Sequence, residues 1–145
     1  MANNIRKGIV TGVHAAKAGH PGGSLSSTDI LSVLYFHEMN IDPKKPQMKN
    51  RDKFVISKGH AAPALYAVMA ERGYFSKEEL LTLRKLGSRL QGHPSMHSLP
   101  CLDMSSGSLG QDISVATGMA LANKTDKNPG RVYSIVGDGE LQEGL

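Results

Sequence analysis

A chain of 145 residues amounts to one domain at most, with room for a buried core if the fold is complete. Its 39% hydrophobic content, 5% aromatic content and 16 glycines describe a turn-rich globular protein, and no apolar run approaches membrane-spanning length. The net charge of +4 and pI near 9.3 come from scattered basic residues, so neither a nucleic-acid-binding face nor a membrane partner is expected.

The densest basic group, Lys44, Lys45, Lys49, Arg51 and Lys53, falls in a proline-containing loop without stacking aromatics. Cys101 is the only cysteine, which excludes an internal disulfide and fits a reducing cytoplasm. The opening MANNIRKGIV lacks the apolar core and cleavage site of a signal peptide.

In chain order, residues 4–18 place Ile5, Ile9, Val13 and Ala16 at helical spacing, with Gly8 and Gly12 suited to close packing. GHPGGS at 19–24 reads as a loop. Ser26 with Asp29 resembles a capping box, opening a helix that buries Ile30, Val33 and Leu34 with Phe36. FVIS at 54–57 predicts an inner strand, Lys58-Gly-His60 a turn, and Pro63 the first turn of a helix stopped by Gly73. Ser76 to Glu79 forms a second capping box, before Leu80, Leu83 and Leu86 and a stop at Gly87. Residues 88–109 are irregular, and a small-residue helix covers about 111–123. VYSIV at 132–136 predicts a second inner strand, followed by Gly137-Asp138-Gly139 and a helix from Glu140. Strands alternating with helices give an α/β fold with a parallel sheet. Two strands are too few for such a sheet, so further strands are expected from elsewhere.

The chemistry gathers in three Gly-His elements, around His20, His60 and His93. Each sets an imidazole beside a residue that lets backbone approach a ligand, and histidine handles protons near neutral pH. Any one of them alone reads more readily as an ordinary loop histidine; three in the same form suggest a shared site. His93 and His97 have the i, i+4 spacing of a zinc pair, but Pro94 denies them a helix. SSGSLGQ at 105–111 reads either as a turn with an N-cap or as a slot shaped by backbone and Leu109. The GDG turn lies where open α/β sheets bind ligands. Gln142 breaks the dinucleotide fingerprint, Leu145 stands where a P-loop needs lysine, and Arg131 with Gly137 rule out an EF-hand from Asp126. Strand–GDG–helix remains, with Asp138 as a hard-cation ligand.

Taken together, GHPGGSLS, DKFVISKGHAAPALY, QGHP, SSGSLGQ and GDG resemble the thiamine-diphosphate-binding N-terminal region of transketolases, in order and over nearly the whole chain. The phrases IRKGIVTGVHAAKAGHPGGSLS and MSSGSLGQ are most similar to split transketolases, whose N-terminal half is a separate subunit. The resemblance implies a Rossmann-like three-layer thiamine-diphosphate fold, with residues 1–145 as the N-terminal part of a single domain cut after GDG. It implies that His60 and Gly139 hold the diphosphate, that Asp138 binds magnesium (calcium or manganese as substitutes), and that Gly107, Leu109 and Gly110 lie against the cofactor rings. His20 and His93 then face the sugar, and Glu143 lies in a carboxylate network at the subunit interface. The implied reaction moves a two-carbon ketol unit from a ketose phosphate to an aldose phosphate. A C-terminal subunit or domain of a homo- or hetero-oligomer supplies the glutamate that activates the cofactor.

Three departures qualify this. Asp112 stands where the family has glycine in Gly-Gln-Gly, HSLPCLD at 97–103 replaces a proline-glycine-valine-glutamate run, and the sequence ends before the Asn-Asn that the family carries two to three dozen residues after GDG. A first-turn carboxylate at Asp112 is tolerable through the helix dipole. Other readings are a non-catalytic scaffold of the same fold, a relative of deoxyxylulose-phosphate synthase, and, last, a zinc hydrolase using His20, His60, His93 and His97.

Overall fold

The computed structural model describes residues 1–144. Helix α1 (Ala2–Ala16) buries Ile5 and Ile9 against α4 (Ala62–Arg72), in which residues 62–70 are all buried. The contact is close because both faces are small. A Cβ at Gly8 would stand 3.2 Å from that of Ala67, and one at Gly12 3.2 Å from the carbonyl of Leu80. Helix α4 ends as predicted on Gly73, whose φ of 97° lets its N–H reach the carbonyls of Met69 and Ala70.

Strands β1 (Lys53–Ile56) and β2 (Val132–Ile135) pair in parallel, Lys53 opposite Val132 and Ile56 opposite Ile135. Helix α5 (Gln111–Thr125) connects through the Asn128–Gly130 turn into β2. β1 is buried over residues 54–56 and β2 is only half-buried up to Ile135; neither is the expected inner strand, because among the described residues the two form the whole sheet and each is an edge. Two carboxylates fasten the strand entrances. Asp52 accepts from the N–H groups of Asn40 (2.8 Å) and Arg131 (2.7 Å). Asp103 accepts from the Arg51 guanidinium (2.5 and 3.0 Å) and from the N–H of Phe54 (2.8 Å), anchoring the irregular 88–109 segment to β1.

Four expectations are corrected. GHPGGS is not all loop: Pro21 opens a short helix, α2 (Pro21–Ser26), followed by α3 (Thr28–Val33) and a wide turn over Leu34–Glu38. The Ser26–Asp29 box does not form, because Ser26 bonds to the carbonyl of Gly23 and Asp29 pairs with Arg6. The helix starts earlier, its buried face is rotated, and Leu31 and Tyr35 enter the core while Ile30 and Val33 stay half exposed. Ser76 likewise makes no side-chain cap; Lys77–Thr82 is a 3₁₀ run that buries Leu80, with Leu83 just beyond it, and Leu86 lies fully exposed in the following loop. The helix expected from Glu140 is a single 3₁₀ turn, Gly139–Gln142. No helix among the described residues is long and apolar enough to cross a membrane.

Candidate functional site

Because β1 and β2 run parallel, both carboxyl ends open on the same side. Ser57 to His60 and Gly137 to Glu140 therefore face each other across the sheet end. Between them lies a cleft of about 270 Å³, lined by Gly23, Ser26, Lys58, His60, Leu109 and residues 137–140. A larger hollow of about 490 Å³, around Glu79, Lys85 and Arg89, holds none of the predicted site residues. The chemistry of the lining, not its volume, selects the smaller cleft.

Four separate sequence elements supply that lining. The rings of His20 and His60 meet edge to face, with centroids 5.1 Å apart. Burial lowers the pKa of His60, and the nearby His20, Lys58 and His93 lower it further against the opposing pull of Glu140. These effects together favour the uncharged imidazole of His60, which lines the cleft. The His93 ring stands 4.0 Å from where a Gly107 side chain would begin. A Cβ on Gly59 would come within 3.0 Å of the backbone at Ser106 and Gly107, so glycine before His60 allows the SGSLG loop to close over it. Gly110 has a φ of 82°, and a Cβ there would stand 2.7 Å from that of Glu143, which packs directly over it.

Two residues not singled out from the sequence hold the site together. Glu140 is 5% exposed. Its carboxylate accepts from the hydroxyl of Ser57, the N–H of Gly110 (3.3 Å) and the N–H of Gly137 (2.9 Å). One buried acid thus joins the end of β1, the SGSLG loop and the GDG turn. Lys58 donates to the carbonyl of Gly23 (3.0 Å) and to Ser26 (3.3 Å). Burial lowers its pKa, opposed by Glu140 and Asp138. A lysine at the strand end, beside the Gly59-His60 turn, carried a readable hint of an anion site; nothing local in the sequence marked Glu140.

Asp138 and Gly139 are exposed, and Asp138 makes no hydrogen bond among the described residues. Leu109 keeps 39% of its surface exposed in this otherwise polar cleft. Asp112 is 2% exposed in the first turn of α5, with one carboxylate oxygen unpartnered. Burial raises its pKa, with Ser106 opposing and Glu140 reinforcing, so the helix dipole does not suffice to keep it an easy charge. His97 lies exposed outside the cleft lining, and no three His, Cys, Asp or Glu side chains converge as a metal cluster among the described residues. Of the predicted residues, His20, His60, His93, Gly107, Leu109, Gly110, Asp138, Gly139 and Glu143 all lie in or against this one region.

A parallel sheet with glycine-rich turns at its carboxyl end is the class of an α/β cofactor-binding domain. The match to the family described as transketolase, thiamine diphosphate binding domain, spans residues 1–145, and the chain belongs to that family. It is 48% identical over 144 residues to a 6-deoxy-6-sulfo-D-fructose transketolase subunit of Clostridium sp., covering 99% of this chain and 52% of that protein. Identity to an apulose-4-phosphate transketolase subunit of Phocaeicola vulgatus is 45%, covering 96% and 49% of the two chains. Human transketolase is 46% identical, with 99% and 23% covered. The fold superposes on the crystal structure of Campylobacter jejuni transketolase with a TM-score of 0.91 at 40% identity, covering 99% and 24%. The chain thus spans about half the length of the relatives named as subunits and about a quarter of the full transketolases.

Proposed function

We propose that this chain forms the diphosphate- and thiazolium-facing part of a thiamine-diphosphate-dependent transketolase. The transferred group is a two-carbon ketol unit passed between anionic sugars, a ketose phosphate donor and an aldose phosphate acceptor. The observation that carries this is the convergence of GHPGG, KGH, SGSLG and GDG on one cleft at the sheet's carboxyl end.

The cleft suits that cofactor chemically. A half-exposed Leu109 offers an apolar wall for a ring, open space beside Gly139 admits phosphate oxygens, and the unpaired Asp138 carboxylate is a hard ligand for magnesium. When bound, the cofactor supplies the carbanion chemistry that breaks and forms the carbon–carbon bond. The protein's part is placement and proton handling. His60 donates a hydrogen bond to a phosphate oxygen, joined by the N–H of Gly139 and the ammonium of Lys58. Gly107 and Gly110 let the loop backbone approach the rings, with Leu109 excluding water. His20 and His93 bind sugar hydroxyls and take or return protons at them. Glu143, seated on Gly110, faces the subunit interface.

The remaining metal ligands are assigned to an Asn-Asn pair two to three dozen residues after GDG in the same domain, and the glutamate that activates the cofactor to a C-terminal subunit or domain, in a cytoplasmic homo- or hetero-oligomer. Two relatives whose names specify a sulfonated and a phosphorylated sugar support an anionic substrate. The test is calorimetry with thiamine diphosphate and magnesium, together with a ketol-transfer assay, on the complete enzyme that contains this chain. His60→Ala is expected to weaken cofactor binding at least tenfold; unchanged affinity overturns the assignment. A non-catalytic scaffold is favoured by one observation only, the buried Asp112. It predicts cofactor binding without turnover, restored by Asp112→Gly.

A further inference from the structure

Asp112 is a buried acid that no step of ketol transfer uses. It stands in the first turn of α5, two residues after Gly110, whose φ of 82° bends the SGSLG loop into the helix. Only 2% of its surface is exposed, and one carboxyl oxygen is buried without a hydrogen-bond partner. Two groups from outside the helix face it, the Ser106 hydroxyl and the carboxylate of Glu140. Both belong to the loops that form the cleft. Ser106 begins the SGSLG loop, with its N–H bonded to the carbonyl of Pro94 (3.1 Å) and its backbone pressed on Gly59. Glu140 accepts from the N–H groups of Gly110 and Gly137, and so joins that loop to the GDG turn.

The charges around Asp112 do not balance. Glu140 is already filled by donors from Ser57, Gly110 and Gly137, and it sets a like charge beside Asp112. The ion pairs among the described residues join Arg6 to Asp29, Arg51 to Asp103, Lys77 to Glu71 and Arg89 to Glu79, and none includes Asp112. Lys58, which feels Glu140, donates to Gly23 and Ser26 instead. A buried carboxylate with no cation and an acid for a neighbour is far costlier than a neutral carboxyl in the same space. The raised pKa of Asp112, caused first by burial, with Ser106 opposing and Glu140 adding, has the same sign.

We infer that Asp112 is a positioning residue for the cofactor loop and works in its proton-bearing form. As a neutral acid it packs the first turn of α5 against Ser106 and Glu140, which holds Leu109 at the cleft. When the proton leaves, the carboxylate is repelled by Glu140 and drawn to water, and the first turn moves off with Gly110 and Leu109. The cleft therefore keeps its shape at low pH and loosens as pH rises through the folded pKa of this acid. Asp112 does not line the cleft and acts only through the loop. The inference rests on the reading of SGSLG as the loop that meets the cofactor rings.

The test is calorimetry of the complete enzyme with thiamine diphosphate and magnesium, between about pH 6 and pH 8.5. Asp112→Asn, a permanently neutral isostere, is the reference. Dividing the two dissociation constants cancels the titrations of His20, His60, Lys58 and the cofactor phosphates, which both proteins share. The wild-type Kd over the Asp112→Asn Kd is expected to rise by about fivefold or more across that range. Asp112→Ala, which lacks the packing, should bind about threefold more weakly than Asp112→Asn at every pH. A constant ratio overturns the inference and leaves the ketol-transfer reading standing. A wild-type enzyme that binds no cofactor at any pH overturns both. Hydrogen exchange of the cofactor-free enzyme adds a readout that needs neither variant nor ligand. After correction for the intrinsic rate, protection over residues 105–111 should fall by about fivefold or more across the same range while that of α4 holds. Equal change in both segments, or none in either, overturns the inference as well.

Discussion

Glu140 accepts three hydrogen bonds from three segments that are far apart in the chain, which makes it the most connected side chain of the cleft. A buried acceptor is costly to replace by a donor, because the facing N–H groups lose their partner. Glu140→Gln is therefore expected to cost about 2–3 kcal/mol, read as a lower urea midpoint with an unchanged slope. Asp112 is the opposite case, a buried acid with an oxygen that nothing satisfies. Its pKa is raised in the folded protein, so the folded state holds its proton to higher pH than the unfolded chain does. Whatever stability the protonated carboxyl provides is present at low pH and lost as pH rises through the folded pKa. Wild type and Asp112→Asn should thus unfold at similar urea concentrations near pH 4 and separate by pH 7, with the asparagine form more stable. A pH series of urea melts checks the sign. The histidines and Asp138 were legible because glycine neighbours mark them locally. Glu140 was not, since its role depends on partners 3, 30 and 83 residues away.

Among the elements, the loops carry more of the specificity than the helices. Gly59 is the point where the KGH turn and the SGSLG loop touch, with 3.0 Å left for any added atom. Gly59→Ala must move one loop off the other. The expected result is a loss of about 1–3 kcal/mol in stability and at least a tenfold weaker cofactor affinity, measured by urea unfolding and calorimetry. The two strands and α4 were readable from short apolar runs and from a proline–glycine bracket. α2 and α3 were not, because apolar spacing there points the wrong way. Ser24, Ser27 and Thr28 are buried, and their hydroxyls are satisfied by carbonyls four residues back. Buried serine with exposed isoleucine inverts the pattern on which the register was read.

For the molecule as a whole, the described residues form two strands and expose Val10, Ile30, Val33, Val115 and Leu121 at 42–63% of their surface. Such apolar area, with strand edges left open, favours association. Residues 1–145 expressed alone are expected to sediment as oligomers or aggregates. A longer chain carrying the rest of the transketolase domain should instead give one defined species, and a single monomer peak from residues 1–145 alone would count against this. The same polypeptide alone should bind thiamine diphosphate weakly, since Asp138 is the one metal ligand assigned within it; calorimetry with magnesium reads this directly. The family was legible because its motifs are local strings with fixed order. The arrangement of the whole was less so, since it rests on surfaces that short motifs do not describe.

The mutual contact of the inner loops has a consequence for how such an enzyme can change its substrate. Where one glycine touches one backbone and one acid ties three segments, a substitution in any of them disturbs the others. Variation that spares the cofactor is therefore expected outside these inner loops. Libraries directed at 105–110 or 137–140 should yield active variants far less often than libraries of equal size directed at the exposed residues 84–87. The inner loops are in this sense one machine part, replaced whole or not at all.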